Sequence, residues 1–206
     1  MHRRFETPEI RQECQDDLEF VKEMFDKAGI QFFLIAGTYL GAMREHDFIA
    51  WDDDIDLGIF WKDVDKLLEI IPEFRKNDFF VGWGPRRPTK PFWIKLYRKI
   101  PIDVLVFFKH NGKWKYYHGQ DHREYCFWQN NARYFDKLDE IEFRGKKYLV
   151  PSSYEEVLFL WYDRWKERAG GNCFTYNSPL VPTNFETFKQ IINSLDGCLI
   201  DDNTVQ

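Results

Sequence analysis

Asp54-Ile55-Asp56-Leu57-Gly58-Ile59 alternates polar and apolar residues with period two, and it constrains the fold more sharply than any other stretch of the chain. Such alternation is the signature of a half-buried strand. On it Asp54, Asp56 and Gly58 share one face and Ile55, Leu57 and Ile59 the other. Two carboxylates and a glycine therefore face one space, and the glycine is expected to leave room for a ligand. Like charges at roughly 4 Å and an effective dielectric of about 20 repel by on the order of 4 kcal/mol. The arrangement persists if one acid is protonated or a cation sits between them. Hard divalent cations take oxygen ligands, and Mg²⁺ is bound by one or two carboxylates plus substrate phosphates. A solvated acidic turn is the alternative, but a turn has no need of the interleaved Ile and Leu.

Upstream, the apolar run Phe32 to Ala36 reads as a buried strand that stops at Gly37-Thr38, and Tyr39 to Glu45 reads as helix. Gly37 and Thr38 thus fall at a helix N-terminus, where free N–H groups and the helix dipole favour an anion. Downstream, Ile102 to Phe108 is an apolar strand with a single charge, Asp103, near its start. A charge in such a place is seldom buried unpaired. Asp103 is either the third member of the carboxylate cluster or a strand-end residue bonding a nearby N–H. The first option requires the strands of Asp56 and Asp103 to be neighbours facing the same way. Lys95, between Ile94 and Leu96, points away from both, toward phosphate or water.

Hydrophobic-Gly-Thr, then Asp-x-Asp, then a lone Asp in an apolar strand resembles the nucleotidyltransferase fold. The fuller pattern is similar to the LicD/fukutin family: Gly37-Thr38-x-Leu40-Gly41-Ala42-x-Arg44, then Phe48-Ile49-x-Trp51-Asp52-Asp53-Asp54-Ile55-Asp56. The resemblance runs from about Gly29 to Trp165. Val150-Pro151 and Leu160-Trp161-Tyr162-x-x-Trp165 parallel the family's last segment, departing there from its usual Tyr-Gly-Asp-Trp. The resemblance implies transfer of a substituted phosphate, of the phosphocholine or polyol-phosphate type, from a CDP-alcohol to a glycan or polyol hydroxyl. Asp54 and Asp56 would hold Mg²⁺ or Mn²⁺ on the diphosphate. Asp103 would be a further ligand or the general base. Gly37, Thr38 and Arg44 would bind phosphate oxygens. Asp52 shares the parity of Asp54 and would assist, whereas Asp53 points the other way and is structural. An NTP-using nucleotidyltransferase and a non-catalytic nucleotide- or glycan-binding module are the alternatives; the intact acid trio speaks against the second.

The chain has 206 residues, enough for a single domain with a sizeable core, and the expected architecture is a mixed α/β sheet flanked by helices with a helical, aromatic C-terminal part. A net charge of −5 disfavours sequence-independent nucleic-acid binding. No segment has the length and apolarity of a membrane span and no signal peptide opens the chain, so a cytoplasmic enzyme is expected. Scattered Cys14, Cys126, Cys173 and Cys198 fit free thiols. Thr7-Pro8 and Gly29 bracket a packing helix. Lys62 to Ile71 reads as a helix ended by Pro72, and Phe79 to Trp83 and Phe92 to Arg98 as strands around a turn carrying Arg86, Arg87 and Lys90. Asn111-Gly112 and Arg144-Gly145 mark hairpins. His118, His122 and Cys126 have one-face helical spacing that admits zinc, but no fourth ligand is in sight. The family likeness instead makes His118 to Phe135 part of an acceptor surface. Ser152-x-x-Glu155 reads as a capping box opening a helix to about Ala169, and Asn184 to Leu195 as a last helix.

Overall fold

A computed structural model describes residues 4–84, 91–121, 124–167, 180–183, 190–191 and 194–195, with the backbone alone for 117–132 and 180–183. Helix α1 (Pro8–Ala28) starts and stops where its caps dictate: the Thr7 hydroxyl accepts from the Ile10 N–H at 3.3 Å, and Gly29 closes it at φ 64°. Cys14, Leu18, Val21 and Phe25 recur at helical spacing and are buried. The one buried charge of that face, Asp17, meets Arg98 at 2.7 Å and accepts the Lys99 N–H at 3.0 Å. Arg98 also covers the rings of Phe20 and Phe79. This desolvated pair locks α1 to the turn between the fourth and fifth strands.

The strands are β1 (Phe32–Leu34), β2 (Ile55–Phe60), β3 (Phe80–Gly84), β4 (Trp93–Tyr97), β5 (Pro101–His110), β6 (Lys113–Asp121), β7 (Glu124–Asn131), β8 (Leu138–Phe143), β9 (Lys146–Pro151) and β10 (Leu180–Thr183). The main sheet runs β1-β2-β5-β6-β7-β10, with β4 also on β5 and β3 on β4; β8 and β9 form a second, two-stranded sheet. Among the described strands only β2 and β5 run parallel, so the sheet is mixed. The α-helices that follow α1 are α2 (Ala36–Arg44), α3 (Val64–Lys76) and α4 (Tyr154–Trp161) among the described residues, with short 3-10 turns at Trp61–Asp63 and Ala132–Tyr134. None of the described helices is long and apolar enough to cross a membrane.

Both expected hairpins form. Asn111 and Gly112 have φ 51° and 70°, and Arg144 and Gly145 have φ 48° and 78°, as two-residue turns with positive φ require. The Arg144 guanidinium pairs with Asp47, bonds Gln15 at 2.9 Å and lies over Phe48, fastening the small sheet to α1 and to the loop before β2.

Four local expectations are corrected. Pro72 does not end α3: it lies on the exposed side, while Ile71 and Phe74 on either side of it stay buried and the helix runs on to Lys76. The capping box does not form: Ser152 donates to the Arg133 carbonyl at 2.9 Å, Ser153 makes the turn at φ 58°, and α4 stops at Trp161. The helical spacing behind the zinc reading is absent, since His118 and Cys126 stand on the antiparallel strands β6 and β7, with a bulge between Tyr117 and Gly119. His122 lies outside the described residues, as do Arg86, Arg87, Lys90 and most of the expected last helix; 190–191 and 194–195 are helical. Gly58, finally, leaves no room for a ligand. It pairs with Phe33, and a Cβ on it would stand 2.3 Å from the Phe33 ring. Phe33 is fully buried against Phe60, Phe107 and Phe135, so the glycine serves aromatic packing beneath the acids.

Candidate active site

The chain leaves β1 and enters α2 within two residues, with Ala36 at φ 44° making the corner. Two bonds tie this corner to β2: the Thr38 hydroxyl accepts the Asp56 N–H at 2.8 Å, and the Gly37 N–H donates to Asp56 Oδ2 at 3.3 Å. Gly37 has a further reason to lack a side chain, because its Cβ would lie 2.2 Å from Asp52 Oδ2. The helix N-terminus expected to cradle phosphate is thus turned onto Asp52 and Asp56, with its polar groups orienting the acids.

Asp56 and Asp103 are in-register partners of the parallel pair β2 and β5, so they are neighbours facing the same way. One carboxylate oxygen from each of Asp54, Asp56 and Asp103 lies within 4.8 Å of the others. A second trio, Asp52, Asp53 and Asp54, meets the same limit and shares Asp54 with the first. Lys95, about a third exposed, has a partner in the acid cluster: on β4 it stands opposite Asp103 and pairs with it at 3.1 Å, its ammonium over the Trp93 ring. Arg44 sits apart, seven residues or roughly 10 Å along α2 from Gly37. Its guanidinium bonds Glu45 at 2.9 Å and the carbonyls of Trp165 and Glu167 at 3.3 Å, and it stacks on Trp51.

Asp53 is the residue that sequence reasoning missed. Parity placed its side chain opposite Asp54, but parity holds only in a strand, and residues 52–54 precede β2. The length of the acid run was the one signal available.

Residues 29–153, more than half of the chain, match the LicD/FKTN/FKRP nucleotidyltransferase domain. The chain belongs to this family. An uncharacterized protein of Rickettsia prowazekii is 29% identical over 94 residues, 46% of this chain and 33% of that protein. Human ribitol 5-phosphate transferase FKRP is 36% identical over 61 residues (30% of this chain, 12% of FKRP), and human ribitol-5-phosphate transferase FKTN is 34% identical over 58 residues (28% and 13%). The match therefore spans a third or less of each relative's length. The solved lincosamide antibiotic adenylyltransferase LnuA, with lincomycin bound, aligns at TM-score 0.47 and 12% identity over 70% of this chain and 84% of that one.

The electrostatics of this LicD-family site follow from its crowding. Burial, then the charges of Asp54, Asp52 and Asp103, push the Asp56 carboxyl well above the usual range, against the pull of the Gly37 N–H. Burial and the Asp54 charge raise Asp52 to about 7, opposed by the Asp53 N–H. All-oxygen donors packed this closely, at the cost of their own ionisation, suit a hard divalent cation. A pH dependence results. Because Asp52 titrates higher folded than unfolded, metal-free stability from this group is full below about pH 4 and is lost as pH rises toward 7. Asp52→Asn, which retains an oxygen for the Asp53 N–H, should raise the metal-free Tm at pH 8 and leave it unchanged at pH 4. Calorimetric scans showing equal Tm for both proteins at pH 8 would refute this.

Proposed function

We propose that the chain is a metal-dependent transferase that moves a substituted phosphate from a CDP-alcohol to a glycan or polyol hydroxyl. The observation that carries this reading is the convergence of Asp56 and Asp103, from adjacent parallel strands, with Asp54 from the residue just before β2. Family membership and similarity to two ribitol-phosphate transferases support the class of group transferred. Asp54 and Asp56 are the residues to hold Mg²⁺ or Mn²⁺, with Asp103 alongside. Such an ion supplies charge neutralisation at the diphosphate.

The remaining chemistry belongs to the chain. Phosphoryl transfer depends mainly on positioning and electrostatics. Gly37 and Thr38 hold Asp56 from the α2 side, and Lys95 holds Asp103 from the β4 side. The acceptor oxygen attacks the phosphorus that carries the alcohol, forming a new P–O bond. The bond from that phosphorus to the bridging oxygen breaks, and its electron pair leaves with CMP. As a general base, Asp103 takes the hydroxyl proton.

Thermal-shift measurements with CDP-choline, CDP-ribitol, CDP-glycerol, CTP and ATP, each with and without Mn²⁺, test this reading. A ligand at 100 times its Kd stabilises by about 2.7 kcal/mol. The expected result is stabilisation only with Mn²⁺, and more by a CDP-alcohol than by ATP. Equal stabilisation by ATP would assign nucleotidyl transfer instead, and stabilisation by no nucleotide would reject both.

A further inference from the structure

Trp51 immediately precedes the acid run and is 41% exposed, in a chain whose other residues near the acids are largely covered. A ring this open is seldom rigid, yet Trp51 has a fixed support. The Arg44 guanidinium lies over it at 5.8 Å, with its own side chain only 10% exposed. Three bonds, to the Glu45 carboxylate and to the carbonyls of Trp165 and Glu167, set the plane of that guanidinium. The indole is thus backed by a cation that cannot swing away, and it offers solvent a flat, pre-ordered surface.

The acids beside it have two unlike ends. The two trios overlap at Asp54: Asp52, grouped with Asp53, lies beside Gly37 of α2, and Asp103 pairs with Lys95 of β4. Trp51 belongs to the first end, three residues or at most about 11 Å of chain from Asp54. Displacement at phosphorus is roughly in line, so the attacking and leaving oxygens occupy opposite sides of the transferred group. With Asp103 receiving the acceptor's proton, the nucleoside phosphate departs toward the Asp52–Asp53 end.

We infer that Trp51, braced by Arg44, is the stacking platform for the nucleobase of the donor. The inference rests on the reading proposed above and adds the residue that would recognise the base. An acceptor sugar would also stack on an indole, but it belongs at the Asp103 end, where Trp93 lies beneath Lys95.

The test compares Kd values for CMP and for ribose 5-phosphate, which lacks the base, by titration calorimetry in Mn²⁺ with wild-type protein, Trp51→Phe and Trp51→Ala. Wild type should prefer CMP. Trp51→Ala should weaken CMP by about 5- to 150-fold, the range for losing one base–aromatic stack, and leave ribose 5-phosphate unchanged. Trp51→Phe should retain most of the preference, which separates stacking from a general disturbance of the turn. Mn²⁺ affinity measured alone reports whether the neighbouring acids keep their places in each variant. If Trp51→Ala binds CMP as wild type does, or only its acceptor KM rises, the platform is refuted while the transferase reading stands. If wild type binds Mn²⁺ but prefers no nucleotide over ribose 5-phosphate, the platform and the nucleotide-donor reading fall together.

Discussion

Asp56→Asn should abolish turnover and reduce Mn²⁺ affinity by more than about 100-fold while leaving the metal-free fold as stable as wild type, or more so. The lower bound follows from outer-shell groups: losing a residue that merely orients a ligand costs about 10- to 100-fold in metal affinity, and Asp56 is proposed as a ligand. Stability is expected to hold because the substitution removes an acid whose ionisation burial and Asp54, Asp52 and Asp103 all oppose, and an amide oxygen can still accept the Gly37 N–H. Most point substitutions destabilise, so loss of activity without loss of stability is diagnostic. Calorimetry with CDP present, alongside thermal melts without metal, measures both quantities. Undiminished Mn²⁺ affinity would remove Asp56 from the metal site.

Asp103→Asn should lower kcat by about 10²- to 10⁴-fold, the usual worth of a positioned general base, with the protein still folded. The structural cost is small. Lys95 loses its partner in a pair about a third exposed on its side, and such pairs contribute up to about 1 kcal/mol. Mn²⁺ affinity then distinguishes the two roles: a ligand loses metal and turnover together, whereas a base loses turnover alone. A purely structural Asp103 would show lower Tm and an active folded fraction, and that result would overturn the three-acid site.

The acid trio was legible in the sequence because each part had its own local signal. Alternation placed Asp56 and singled out Asp54 just ahead of the strand, and a lone charge in an apolar run marked Asp103. Their adjacency was a requirement of the chemistry, and the parallel pairing of β2 with β5 meets it. What the sequence concealed was the use made of small and cationic residues. Gly58 reads as open space until Phe33 on another strand fills it, and Arg44 reads as a phosphate ligand until carbonyls over a hundred residues downstream claim it. Lys95 was undecided because its partner is fixed by the pairing of β4 with β5, which no local pattern encodes. Asp53 was misplaced because strand parity does not hold for residues 52–54, ahead of β2, and Pro72 and Ser152 were judged by local rules that solvent exposure and a distant carbonyl override.

The register of β2 and β5 has a consequence for how this site tolerates change. Adjacent strands are held about 4.8 Å apart by their backbone bonds, whatever their side chains. The gap between the backbones bearing Asp56 and Asp103 is therefore measured by peptide geometry, as by a ruler, and not by the loops that join the strands. Lengthening those loops leaves the ruler unread, because it alters neither strand spacing nor facing. Sliding β5 by a single residue against β2 is a different kind of event: it turns Asp103 to the far side of the sheet and sets an isoleucine or valine in its place. The site is thus indifferent to the length of its connections and intolerant of one step in its ladder.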